Sequence, residues 1–130
     1  MIAEAVEAAR RLHSEGVAAN VINVTSGNKL YYAARDARRA QLRDAHAPLD
    51  LGQLETIIPK GERKAPIVTV QDGASHSLAF LGSVWGVPVV PLGVDEFGQS
   101  GTRKSVYHKV GIDADQIFNA GLLALDLINE

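Results

Sequence analysis

The chain has 130 residues, 46% of them apolar, which is enough for one ordinary domain with a sizeable core. Its 13 Lys and Arg against 15 Asp and Glu leave it near neutral, so no overall charge draws it to nucleic acid or to an anionic membrane. It has no cysteine, which excludes disulfides, thiolate metal sites and cysteine nucleophiles and suits a reducing, cytoplasmic setting.

The first segment, MIAEAVEAARRLHSEG, places Ile2, Ala5, Val6, Ala9 and Leu12 at spacings of three and four and predicts an amphipathic helix. Its charges at Glu4, Glu7, Arg10 and Arg11 argue against a signal peptide, and no apolar run approaches the roughly 18 residues of a membrane span. Gly16 is placed to end the helix as a left-handed cap. The β-branched run that follows predicts a buried strand over Ala18 to Val24.

Residues 27–65 form a long, polar, arginine-rich insertion that must contain structure of its own. Leu30, Ala34 and Ala37 predict a helix running to about Asp44, and Pro48 to Gly61 read as loop with at most a short helix or minor strand. Five of the 13 basic residues lie between Lys29 and Arg43. Arg35, Arg38, Arg39 and Arg43, with Tyr31 and Tyr32 beside them, suit a solvated helix face or a subunit contact. A nucleic-acid patch is disfavoured, because Asp36 and Asp44 interrupt the charge.

PIVTV (Pro66 to Val70) and VPVVPLGV (Val87 to Val94) predict two further strands, with Leu78, Leu81, Val84 and Trp85 at helical spacing between them. A strand, helix, strand unit of this kind is parallel, so the expectation is a layered α/β domain with a largely parallel sheet. Asp113 and Gln116 stand in capping-box positions before a last helix whose packing face is Ile117, Gly121, Ala124, Leu125 and Ile128.

Three stretches invite chemical readings. His13, His46, His76 and His108 lack the close spacing of a metal motif, so no metal site is expected. QDGASH puts Asp72, Ser75 and His76 just past a strand end, where open α/β sheets place ligands. A nucleophile elbow would need a glycine on each side of Ser75, and Ser77 replaces the second. The plainer reading is a turn at Asp72-Gly73, with Ser75 capping a helix that His76 begins.

PLGVDEFGQSGTRKS has the glycines of a phosphate loop at Gly93 and Gly98, but Gln99 stands where its lysine belongs. Asp95 and Glu96 would repel a polyphosphate there. What survives is a small-anion or interface site at Gly98, Gln99, Ser100, Gly101, Arg103 and Lys104, with a strand-to-helix turn as the simpler use.

VAANVINVTS, GVDEFGQSG and HKVGIDADQI, together with the order of elements, resemble the C-terminal domain of the transketolase superfamily. The nearest likeness is to the homodimeric type of the decarboxylating component of pyruvate dehydrogenase, a thiamine diphosphate-dependent oxidoreductase. The resemblance implies a three-layer α/β/α fold with a mixed, mostly parallel sheet. It implies a non-catalytic structural and dimerisation role, with no catalytic, cofactor or metal residue in this chain.

In such an enzyme thiamine diphosphate and magnesium are held by two earlier domains, and the acyl product passes to a lipoyl acyltransferase. The implied partners are therefore those earlier domains, a second copy in a homodimer and the acyltransferase, with His76, Trp85 and the arginine-rich segment as surfaces. Relatives usually open this domain with a strand, whereas here a helix begins at Ile2, so the resemblance also implies a missing first strand and a fragment of a larger enzyme. The competing expectation is a stand-alone small-anion-binding or protein-interaction module.

Overall fold

The structure, a computed structural model, describes residues 2–95 and 112–129. The Gly98 to Lys104 candidate lies outside the described residues. Helix α1 spans Ile2–Ser14, and the chain leaves it through Gly16 at φ +82°, as the left-handed cap expected there requires. Helix α2 spans Gly27–Arg43 and α3 spans Gln53–Ile57, followed by a 3₁₀ turn at Lys60–Glu62. Strand β1 is Ile67–Val70, then come a 3₁₀ turn at Ser75–Leu78, helix α4 at Leu81–Trp85, strand β2 at Val89–Leu92 and helix α5 at Ala114–Asn129.

β1 and β2 pair in parallel, with Ile67 opposite Val89 and Val70 opposite Leu92. The strand, helix, strand unit is therefore present, and the fold is α/β with a small parallel sheet. Successive residues of β1 face opposite ways, so the strand serves two groups of buried side chains. One group holds Leu30 and Ala37 of α2, Leu51, Leu54 of α3 and Leu81 and Val84 of α4, with Ile67 packed against it. The other buried apolar side chains among the described residues are Ala8 and Leu12 of α1, Ile112, and Ile117, Ala120 and Ala124 of α5, which packs on α1 and on both strands.

Residues 18–24 do not form the expected strand. β-branched residues favour extended backbone, but a strand needs a hydrogen-bonded neighbour, and among the described residues only β1 and β2 form a ladder. Val24 packs beside the α2–α4 group while Val21 and Ile22 are exposed, and a side-chain hydrogen bond from Asn20 to Glu62 ties the segment to the turn before β1. The stretch from Pro48 to Gly61 contributes more than a loop: Leu51 and Leu54 are 2% and 1% exposed, among the most buried side chains described.

The buried face of α1 also differs from the expected stripe. Ala8 and Leu12 are buried, whereas Ile2 and Val6 are exposed. α1 meets α5 through small residues: a side-chain carbon added at Gly121 would lie 2.9 Å from Leu12 Cδ1. Glycine at 121 leaves room for Leu12, which with Ile117 is a larger residue turned inward, while other bulky apolar residues lie outward. On α5 this leaves Leu122, Leu123, Leu127 and Ile128 exposed, although Ile128 was expected on the packing face.

At the start of α5, the Gln116 amide donates to Asp113 Oδ1 at 3.0 Å, the half of the capping box that closes the first turn. Arg11 Nη1 donates to Asp115 Oδ1 at 2.5 Å and its guanidinium lies 4.4 Å from the Phe118 ring centre, so the end of α1 is fastened to the beginning of α5.

Candidate functional site

The carboxyl ends of the two parallel strands and the start of α2 meet at one rim, the place where open α/β sheets bind ligands. Past β1 the chain turns at Asp72-Gly73, and past β2 it runs through Gly93 to Asp95. The two turns are stitched together: the Gln71 amide donates to Leu92 O at 3.2 Å and the Val94 amide to Gly73 O at 2.6 Å. A side-chain carbon at Gly93 would come within 2.7 Å of Ser75 Cα and N, so this crossing requires glycine.

Ser75 does not cap the turn it begins. Its amide donates to Asp95 Oδ1 at 2.8 Å and its hydroxyl to Asp95 Oδ2 at 2.7 Å, so the cap is supplied by a carboxylate 20 residues later in the chain. The Ser75 amide first and then the Ser75 hydroxyl hold the Asp95 carboxyl below its ordinary range; desolvation opposes them, and the nearby His76 adds a lesser pull in their direction. An aspartate held in its ionised form is a weak base. The serine proton is directed at Asp95 and not at His76, so the serine, histidine and aspartate near this rim do not form a nucleophilic relay.

His76 itself is exposed. His13 and His46 are exposed on separate segments, and among the described residues no three His, Asp or Glu side chains gather as metal ligands. Trp85 is half-buried against the α2–α4 group, and the Arg63 guanidinium stacks 5.0 Å from its ring centre. Arg63 is in turn held by the carbonyls of Ile58 at 3.2 Å and Glu55 at 3.3 Å.

Beside the Ser75–Asp95 latch lies a cleft of about 560 Å³ lined by Thr25, Ser26, Asn28, Lys29, Gln71 and Ser77 among others. Ser26 stands at the N-cap of α2 without a side-chain bond to the first turn. Neither this cleft nor the role of Asp95 was read from the sequence. The polar run Thr25-Ser26-Gly27-Asn28 ahead of a helix was the available signal for the cleft, but nothing local could pair Asp95 with Ser75.

The family model of the transketolase-like TK C-terminal domain matches residues 1–113, most of the chain. The chain belongs to the transketolase-like C-terminal domain family. No curated protein and no solved structure matches it. The family match agrees with the parallel α/β unit described here, and it covers α1 to β2 together with the whole arginine-rich segment. Among the described residues no helix is long and apolar enough to cross a membrane.

Proposed function

We propose that this transketolase-like domain is a non-catalytic structural and dimerisation unit of a thiamine diphosphate-dependent enzyme that oxidatively decarboxylates a 2-oxo acid, in the first instance pyruvate. The observation that carries the dimerisation role is the row of large apolar side chains left outward on the α1–α5 pair: Ile2 and Val6, then Leu122, Leu123, Leu127 and Ile128. Burying a Leu or Ile side chain yields about 1.5–3 kcal/mol, and apolar surface exposed in this way marks an interaction site. A two-fold axis beside these helices would lay the same patch against itself, the commonest arrangement of soluble oligomers.

Asp95, whose carboxyl is held below its ordinary range at the strand ends, would oppose a diphosphate there, which supports a reading without cofactor in this domain. In this reading cofactor and metal belong to earlier domains of the same enzyme, and a lipoyl acyltransferase accepts the product.

Sedimentation velocity on the full chain tests the proposal. Self-association that strengthens with concentration is expected, with Leu123→Glu plus Leu127→Glu shifting the chain to monomer while its circular dichroism is unchanged. A wild-type chain that stays monomeric at high concentration, or a double variant that associates equally well, overturns the dimerisation role. Titration calorimetry with thiamine diphosphate and magnesium is expected to give no saturable heat, and micromolar binding would overturn the non-catalytic assignment.

A further inference from the structure

A second surface has a different chemistry. Tyr31, Ala34 and Leu42 of α2 meet Leu51, Phe80 and Val84 in a groove of about 250 Å³. Its floor is apolar and fixed in place. Leu51 and Val84 belong to the buried group, Phe80 packs against that group, and the Tyr31 ring stands edge-on to Phe80 at 5.3 Å. Leu42, on the other hand, is 82% exposed, an unusually bare position for a leucine.

Arginines rim this floor. Arg38 is oriented from below by Val84 O at 3.2 Å and from the side by Gln41 Oε1 at 2.9 Å. Arg35 pairs with Asp36 at 3.1 Å and lies 4.8 Å from the Tyr32 ring centre. Arg39 also lines the groove and Arg43 follows one turn later, and neither has a hydrogen-bond or ion-pair partner among the described residues. α2 carries five cations against the single carboxylate of Asp36, while the rest of the chain has eight cations against 14 carboxylates.

The charge decides the occupant. A second copy docked α2 to α2 would set two strongly cationic helices face to face, which like-charge repulsion opposes. Carboxylates over an aliphatic and aromatic floor are the complement. Guanidinium groups pair with carboxylates in a two-pronged geometry, and a groove floor beside a helix accepts apolar residues spaced three and four apart on a partner helix.

We propose that the α2 groove is a docking site for an acidic amphipathic helix of another protein, whose apolar residues sit over Leu42 and Phe80 and whose carboxylates pair with Arg39 and Arg43. This surface is separate from the α1–α5 face, so either assignment can fail without the other.

The test uses the full chain, isotopically labelled, and a synthetic helical peptide about five turns long. The peptide has Leu at spacings of three and four and Glu elsewhere; its counterpart has Lys in place of every Glu. The glutamate peptide is expected to bind and to shift the amide signals of Tyr31, Phe80 and Val84, and the lysine peptide not to bind.

Arg39→Glu with Arg43→Glu is expected to weaken binding about tenfold per reversed charge. Leu42→Asp weakens it as well, and its exposure keeps that change from disturbing the fold. Leu123→Glu with Leu127→Glu leaves binding unchanged. Equal binding of the two peptides, wild-type affinity in the arginine variant, or shifts confined to α1 and α5 would overturn the proposal. So would a single-stranded oligouridine RNA that shifts the groove signals when the glutamate peptide does not.

Discussion

α2 and α5 are nearly equal in length, at 17 and 16 residues, yet they are attached to the molecule in opposite ways. α5 is apolar on most of its circumference and buries Ile117, Ala120 and Ala124, with Gly121 set against Leu12 of α1 and several large side chains left outside. α2 is mostly polar, buries only Leu30 and Ala37, and depends on Leu51 and Leu54 from the following segment to complete its support. Gly121 thus sets how closely α5 approaches Leu12 of α1, whereas hydrophobic pattern selects the buried face of α2. The outward faces differ accordingly: one is an apolar patch suited to a second copy, the other a cationic groove suited to an acidic partner.

The same substitution made on the two sides separates these cases most sharply. Leu54→Ala, at a position 1% exposed beneath α2, is expected to cost about 2–5 kcal/mol, while Leu123→Ala on the outward face of α5 should change monomer stability by less than about 0.5 kcal/mol. Urea denaturation of both variants at a concentration below self-association measures the difference. Comparable losses would mean that the outward face of α5 is covered within the monomer.

A smaller effect of opposite sign is expected on β1, between the two helix groups. Thr69 is 5% exposed and its Oγ1 is buried without a hydrogen-bond partner among the described residues. A hydroxyl in that position carries its desolvation penalty with no return, so Thr69→Val, of matching shape, should raise stability by about 1 kcal/mol in the same denaturation assay. A loss of stability would instead point to a partner for the hydroxyl.

The smallest effect belongs to the rim. Because the Ser75 amide and hydroxyl lower the Asp95 pKa in the folded chain, the latch contributes stability above the ordinary aspartate pKa, and that contribution is lost as pH falls through the lower native value. Asp95→Asn should therefore destabilise slightly near neutrality and have less effect in acid, and denaturation midpoints measured across that range would reveal it. An effect that grows in acid would contradict the sign. Solvent exposure keeps the magnitude small.

Much of the fold was legible because its signals are local. β-branched runs marked β1 and β2, the spacing of Leu30, Ala34 and Ala37 marked α2, and Asp113 with Gln116 marked the start of α5. The candidate site was less legible. His76 was placed correctly past the end of β1, but the partner of Ser75 comes from the turn after the other strand, and a contact between two loops leaves no periodicity in either. The 18–24 segment failed for a related reason: its composition suits a strand, but ladder formation depends on a neighbour that composition does not specify.

The sequence by itself determined the extents of α1 and α2 closely, where β1 and β2 extend, that the unit between β1 and β2 is parallel, and that one helix carries a block of arginine. Those properties follow from backbone preferences and short-range spacing. Only the tertiary structure decided which side of α1 and α5 is buried, that Leu51 and Leu54 underpin α2, and that Asp95 holds Ser75. Each of these depends on how closely distant segments can approach, and that distance is set by the packing of side chains from all of them at once.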